Sequence, residues 1–145
     1  MKRPLLIAVA VVAVLGISFV VARWLNADTD ERGQVVELLR AQARGDANAM
    51  LRGLDDCRDP ACIAIQRANA RRLRDTGAIK IALYQSQTAH ALRSRTKPTR
   101  VVWFTRDRLT TVQCVLVKRT GNVFAGVSVS LLRLSAPIGR ESSCP

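Results

Sequence analysis

The longest uninterrupted pattern in the chain is an apolar run near its N-terminus, from Leu5 to Ala22, which contains no charged residue. Extended to Leu25, the run is long enough to span a bilayer, because about 20 apolar residues in a helix cover the hydrocarbon core. The sequence therefore predicts a transmembrane signal-anchor over residues 1–25. Lys2 and Arg3 precede the run, and a basic flank favours a cytoplasmic N-terminus with the remaining chain outside the cytoplasm.

A cleavable secretory signal is the alternative interpretation of the same run. Cleavage would follow a small residue, at Val20-Val21-Ala22 or at Leu25-Asn26-Ala27. Neither site has the A-x-A form, and the apolar run is longer than the roughly 7 to 15 residues of a usual signal core. Both interpretations carry the rest of the chain across the membrane. Cleavage would then release the chain as a secreted protein.

Helical periodicity begins after a short polar linker, residues 26–32. One helix face, ended by Gly45, is marked by Val35, Val36, Leu38, Leu39 and Ala43. Asp46 is typical of the N-cap of a second helix. Asp59 followed by Pro60 is typical of the start of a third helix, which we expect to reach Gly77.

From Ala78 onward the hydrophobic period changes to two, as in β-strands. We expect Ile79, Ile81 and Leu83 on one face of a first strand, and a second strand from about Thr88 to Arg93. A turn is predicted at Lys97-Pro98.

Three more strand segments follow in the sequence. Val101, Trp103 and Thr105 alternate with polar and apolar neighbours, and the next strand is predicted from Thr111 to Lys118. Thr120-Gly121-Asn122 indicates a hairpin turn before a return strand that ends at Leu134.

Helices followed by strands predict an α+β fold, with about three helices packed on a curved antiparallel sheet of four to five strands. The predicted extracytoplasmic domain covers residues 33–135, and an irregular tail covers residues 136–145.

Four cysteines, Cys57, Cys62, Cys114 and Cys144, follow the apolar run. They lack the paired knuckles of a zinc site and the two-residue spacing of a redox motif. An even number of cysteines after a translocating segment favours two disulfides in an oxidising compartment, although buried free thiols are an alternative. Of three possible connectivities we predict Cys57 with Cys62 and Cys114 with Cys144.

The formal net charge of +12 suggests nucleic-acid binding until it is divided along the chain. Residues 26–75 hold nine basic and nine acidic side chains, whereas residues 76–145 hold eleven basic and two acidic. Such a surface attracts anionic lipid headgroups, an acidic wall polymer or an acidic protein. Nucleic acid is not the expected partner, because the compartment is wrong and aromatic residues are few. The predicted ligand or partner surface comprises Arg93, Arg95, Lys97, Arg100, Trp103, Arg106 and Arg108.

The segment VVELLRAQARGDANAMLRGL, residues 35–54, resembles the opening of nuclear transport factor two-like (cystatin-like) domains, in which a Gly-Asp step, here Gly45-Asp46, joins two helices. An anchor followed by such a domain is similar to the membrane proteins associated with mammalian-cell-entry lipid transporters. The resemblance implies a cone-shaped domain, and enzymes of that fold place an acid or histidine base inside the cone. Here only Asp107 and Glu141 are acidic after residue 75, which argues against catalysis.

Three sequence features suggest chemistry and have simpler explanations. His90 is the sole histidine and has no acidic partner nearby in sequence. Ser94 to Lys97 matches an S-x-x-K motif, but that chemistry needs a helix and this stretch precedes a proline. Asp55, Asp56 and Asp59 lack the spacing of a calcium loop. We predict no catalytic residue, no metal and no cofactor.

The sequence thus predicts a non-catalytic interaction or accessory module of a cell-envelope assembly, and not an enzyme. The alternative is a carrier that holds a lipid or another apolar ligand in the cone. That cavity would be lined by Val101, Trp103, Val115, Val117, Val127, Val129 and Leu131.

Overall fold

A computed structural model describes residues 2–88, 94–122 and 126–144. Its longest element is helix α1, Lys2–Arg44, a single helix of 43 residues that is about 65 Å long at 1.5 Å per residue. The N-terminal part is apolar enough to cross a membrane, and its side chains from Pro4 to Phe19 are exposed. The predicted apolar helix is therefore present.

The predicted linker, residues 26–32, is helical, so our expectation of a break there was wrong. No proline or glycine interrupts this stretch before Gly33. Ala27 and Glu31 are buried and lie at four-residue intervals from Val35, which places all three on one face of α1. The helix is continuous because that face packs on the domain from Ala27 onward.

Two shorter helices begin at the predicted caps. The Asp46 side chain accepts a hydrogen bond from the Ala49 N–H at 2.9 Å, which starts α2, Ala47–Arg52. Asp59 accepts from the Cys62 N–H at 2.8 Å and starts α3, Pro60–Arg72. Between α1 and α2, Gly45 has a φ of +76°, which glycine adopts without strain.

Helix α3 ends earlier than predicted, at Arg72 instead of Gly77. The reason lies three residues later, where the Asp75 N–H donates to the Ala43 carbonyl at 2.9 Å and joins the chain to the end of α1. The buried face of α3 also differs from the apolar periodicity, because Ile65 is exposed. The buried side chains of the helix are Cys62, Gln66, Asn69 and Ala70.

Four strands form an antiparallel sheet in the order β1-β2-β3-β4, with strand bounds Lys80–Ser86, Arg95–Phe104, Thr111–Asn122 and Gly126–Leu134. The sheet is open, with β1 and β4 at its edges. Helices followed by a four-stranded antiparallel sheet confirm the α+β prediction.

A bulge in β1 changes which residues face the helices. Ile81 pairs with Trp103 and Leu83 pairs with Val102, so the register shifts at Ala82. Tyr84 therefore packs against the core, whereas Leu83 is 40% exposed. The predicted alternation of Ile79, Ile81 and Leu83 was wrong at Leu83 because a bulge adds one residue to the strand.

The predicted turn at Lys97-Pro98 is instead the first part of β2. Residues 95–98 pair with β3, but pairing with β1 begins only at Thr99. Among the described residues, no strand pairs with Pro98 on the β1 side of β2, and such a position tolerates the missing N–H. As a result β2 is an uninterrupted strand of ten residues.

The predicted hairpin at residues 120–122 is also strand, since Asn122 pairs with Gly126. A Cβ atom at Gly121 would lie 2.1 Å from the Gly126 carbonyl oxygen, so this close crossing requires glycine. The connection itself and the predicted second strand, apart from Thr88, lie outside the described residues.

The three helices cover one face of the sheet, and the C-terminal tail covers part of the other. Val112 forms a bridge with Ile138, and the Cys114–Cys144 disulfide attaches the tail to β3. The second disulfide joins Cys57, which precedes α3, to Cys62 in the first turn of that helix. Both predicted pairings are therefore confirmed.

Candidate functional site

A buried ionic cluster joins α1 to the sheet. Glu31 is fully buried and accepts hydrogen bonds from Tyr84 at 2.8 Å, Thr99 at 2.9 Å and Thr88 at 2.6 Å. Arg119 donates to the same carboxylate from Nε at 2.9 Å and from Nη2 at 2.6 Å. Strands β1, β2 and β3 each contribute one donor, and Thr88 follows β1. A single carboxylate therefore fixes the rotation of the helix on the sheet. We call these five side chains the ionic cluster.

Hydrogen bonding decides the charge of Glu31, which lies beyond the apolar segment of α1. Burial by itself would raise its pKa, but hydrogen bonds from Thr88, Ser86, Arg119 and Tyr84 outweigh burial and hold the pKa below its ordinary value. Burial and the neighbouring carboxylate raise the pKa of Tyr84. The phenol therefore stays a donor and the carboxylate stays an acceptor.

Arg119 also binds Asp28, one turn of helix before Glu31. Burial would lower its pKa, but the hydrogen bonds to Asp28 and Glu31 raise it. Beside this arrangement a groove of about 810 Å³ opens between α1 and β1. Arg32 lies in that groove with its guanidinium 5.9 Å from the centre of the Tyr84 ring.

A neutral amide cluster occupies the same helix face three turns further on. Gln42 donates to Gln113 Oε1 at 3.0 Å, and Gln113 returns a hydrogen bond to Gln42 Oε1 at 3.1 Å. Gln113 Oε1 also accepts from the Trp103 indole at 2.9 Å, and its Nε2 donates to the Ser135 carbonyl at 3.0 Å. We call Gln42, Gln113 and Trp103 the amide cluster.

The end of the domain farthest from the apolar segment carries a loop fixed by Asp75. Its carboxylate accepts from Thr105 at 2.5 Å and from the Gly77 N–H at 2.7 Å, and these hydrogen bonds lower its pKa. Arg108 donates to the Arg72 carbonyl at 3.0 Å.

This anchored loop holds two exposed side chains of different character. Leu109 is 82% exposed, the highest value among the large apolar residues that the structure describes, and Arg106 is exposed close to it. A neighbouring groove of about 600 Å³ is lined by Arg40, Arg44 and Arg74. We call the loop and this groove the distal end.

The structure does not bring the predicted surface residues together. Arg95 and Lys97 are exposed at the start of β2, Arg106 and Arg108 follow its other end, and Arg100 lies under the tail, bound to the Arg140 carbonyl. The two groups lie toward opposite ends of an uninterrupted ten-residue strand, because residues 97–98 are strand and not a turn. Trp103 is fully buried in the core and contributes nothing to an exposed surface. Arg93 lies outside the described residues.

The structure also bears on the three sequence features that suggested chemistry. His90 lies outside the described residues. Lys97 lies in strand β2 and Ser94 directly precedes the strand, so the helix that an S-x-x-K pair needs is not formed there. Asp56 and Asp59 form ion pairs with Arg133 at 3.4 and 3.2 Å. In the parts of the chain that are described, no three metal-ligating side chains form a group.

Sequence reasoning missed both polar clusters. A signal for them exists in the sequence, since Ala27, Glu31, Val35, Leu39 and Gln42 follow one another at helical spacing and place two polar residues on an apolar face. The partners of Glu31 and Gln42 are 53 to 88 residues away along the chain, beyond the reach of local patterns.

Comparison of the chain with protein-family models, curated proteins and solved structures found no match in any of the three. The resemblance to nuclear transport factor two-like domains therefore stays a prediction.

Proposed function

We propose that this protein is a single-pass, membrane-anchored accessory module that binds an acidic partner in the cell envelope through the distal end of an extracytoplasmic domain. The observation that carries the proposal is the continuity of α1. One helix passes from the apolar segment into the domain, so the domain is presented at a fixed height and orientation. A flexible tether would leave both undefined.

The structure argues against the predicted cleavage site after Ala27, and the disulfides bear on the compartment. Cleavage after Ala27 would cut a helix whose buried face begins at that residue. Cleavage after Ala22 would remove most of the apolar segment and leave the remaining part of α1 intact. The two disulfides support an oxidising compartment on the domain side. We propose that the N-terminus is cytoplasmic and the domain extracytoplasmic.

The distal end supports an acidic partner. Arg44, Arg74 and Arg106 are exposed there, whereas Asp75 is engaged by Thr105, Gly77 and Arg108. The loop presents exposed Arg106, Asp107 and Leu109, and the neighbouring groove adds three arginines. In such a patch the apolar side chain gives affinity and the charges give specificity.

The packed interior favours this function over the carrier and over catalysis. Val101, Trp103, Val115 and Val117 were expected to line a ligand cavity, and all four are fully buried in the core under the helices. The centre of that face holds amides, which are hydrogen-bonded to one another and do not titrate. Neither arrangement supplies space for a lipid or a poised base.

The proposal is tested by site-specific photocrosslinking in intact cells. A photoreactive residue replaces Leu109 in one variant and Ile65, which is exposed on α3, in the control. We expect a discrete crosslinked protein at position 109 that is absent at position 65 and lost when Arg106→Glu is added. Equal crosslinking at both positions, or no effect of Arg106→Glu, would contradict the proposal. A lipid adduct at either position would favour the carrier.

Topology is tested in the same cells with a phosphatase, active only outside the cytoplasm, fused after the last residue. We expect activity from the fusion and an intact mass that includes the apolar segment. An inactive fusion would contradict the proposed orientation, and a shortened mass would favour the cleaved form.

A further inference from the structure

The described residues place the two ends of the sheet at different heights above the apolar segment. Glu31 lies six residues after Leu25, which is about 9 Å along the helix axis. Arg119 binds Glu31 and pairs across the sheet with Arg95. This end of the sheet is therefore level with the first two turns of helix after the apolar segment.

The opposite end of the sheet is level with the end of α1. Lys80 pairs with Phe104, and Thr105 binds Asp75, whose N–H in turn binds Ala43. Ala43 follows Leu25 by 18 residues, or about 27 Å. The sheet thus stands with the Arg95 end near the apolar segment and the Lys80 end away from it.

Basic side chains dominate the exposed surface at the near end. Arg32, Arg95, Lys97 and Lys118 are exposed there, whereas Asp28 is bound by Arg119. Two exposed acids lie toward this end, Asp30 on α1 and Glu141, which lines a groove with Ser86 and Gln87. The headgroup layer adds roughly 5 to 7 Å to each side of the hydrocarbon core, and electrostatic attraction extends about one Debye length, roughly 10 Å, beyond it.

We infer that the near end of the sheet docks on the anionic headgroups of the membrane in which α1 is anchored, with Arg95 and Lys118 as its principal contacts. The inference rests on the proposed anchoring and concerns a surface separate from the distal end. The ionic cluster makes the docking possible, because it fixes the sheet on the helix and keeps the near end of the sheet toward the bilayer.

Three lysines at different heights provide the test within one molecule. The full chain is reconstituted in nanodiscs of phosphatidylcholine alone or with an equal share of phosphatidylglycerol, and lysines are acetylated by a neutral reagent and quantified by peptide mass spectrometry. A surface potential of about −30 mV concentrates protons about threefold and lowers the neutral amine fraction by the same factor. We expect Lys118 to react about threefold more slowly in anionic discs, Lys97 to be slowed less, and Lys80 to be unchanged.

Two further conditions sharpen the result. About 1 M salt shortens the Debye length to about 3 Å and should remove the difference at Lys118. Arg95→Glu should weaken it at low salt, since the two basic side chains lie on neighbouring strands.

The outcomes separate this inference from the proposed function. Protein that alkaline carbonate extracts from membranes is not anchored, which would overturn both. Retained protein whose three lysines respond equally to lipid charge, or do not respond, would overturn the docking alone. Slower reaction of Lys118 in native membranes but not in anionic discs would also overturn it, because another envelope component would then cover this surface.

Discussion

The two polar clusters under α1 occupy equivalent positions and are built from different chemistry. Both contact β3 from one face of the helix, through Glu31 at the membrane side and through Gln42 at the far side. The ionic cluster places a carboxylate and a guanidinium where neither reaches water, with exposed fractions of 0% and 2%. The amide cluster achieves equal burial with neutral groups.

The difference shows what each cluster can specify. A buried carboxylate is costly to desolvate and is tolerated only when several donors converge on it. It therefore enforces one arrangement of helix and sheet, and any shift leaves a charge without partners. The two amides exchange two hydrogen bonds, and misalignment costs them less free energy because neither side chain is charged. The stricter cluster lies where the domain meets the apolar segment.

The largest expected effect comes from breaking the ionic cluster. Arg119→Met leaves Glu31 buried without its cation, which costs about 3 to 5 kcal/mol in the free energy of unfolding. Urea denaturation of the full chain in detergent micelles, followed by near-ultraviolet circular dichroism, measures the loss. Arg95→Met, at the exposed cross-strand neighbour, is the matched control and should stay within about 0.5 kcal/mol. A small effect of Arg119→Met would show that the two clusters are equally permissive.

The next largest effect links the amide cluster to the disulfide on the outer face. Ser135 binds Gln113 and the Cys114 N–H, so the tail and the amide cluster share a partner. Replacing Cys114 and Cys144 by serine opens a loop with a sequence separation of 30 and should cost about 3.5 kcal/mol. The bridge from Cys57 to Cys62 spans only 5 and should contribute about 2 kcal/mol.

Hydrogen exchange distinguishes these cysteine variants by region. Loss of the longer bridge should raise exchange in β3 near Gln113 and leave the strand near Arg119 protected. Equal loosening of both ends of β3 would mean that the two clusters are not independent.

A smaller effect is expected from the amide cluster itself. Gln42→Leu removes one partner of Gln113 and leaves its Nε2 with the Ser135 carbonyl alone, which should cost about 1 to 3 kcal/mol by urea denaturation. Val36→Ala, at a half-buried position on another face of the same helix, controls for a general weakening of α1. A loss as large as that of Arg119→Met would remove the distinction between ionic and neutral burial.

The smallest effect is a pH dependence confined to one cluster. The folded state holds the pKa of Glu31 below its ordinary value of 4.5, so its contribution to stability is present above that value. It is lost as pH falls through the folded pKa. We expect the thermal midpoint of the wild type to fall more steeply between about pH 5 and pH 3 than that of Glu31→Gln.

The residual slope of Glu31→Gln should come from carboxylates such as Asp75, whose pKa is lowered by Thr105 and Gly77. Identical slopes in the two proteins would show that Glu31 does not titrate with folding. Gln42→Leu should keep the wild-type slope, since an amide carries no proton to lose.

Local chemistry in the sequence predicted most of the elements. Asp46 and Asp59 mark the starts of α2 and α3 because a cap needs only a side chain and an N–H three residues later. The change of period at Ala78 predicted strands, and the spacing of cysteines predicted both bridges. Errors arose at Leu83, where β1 has a bulge, and at Lys97-Pro98, which pair with β3. Both features are properties of the assembled sheet.

The sequence by itself determined that a charge-free apolar segment precedes an α+β domain with two disulfides, because hydrophobic period, capping and cysteine number act over a few residues. Only the tertiary structure decided that residues 26–32 continue the helix and that Glu31 is buried. It also decided that the predicted basic surface divides between the two ends of an uninterrupted strand. These outcomes depend on partners that lie far away along the chain, and the free energy of burying a charge is set by those partners.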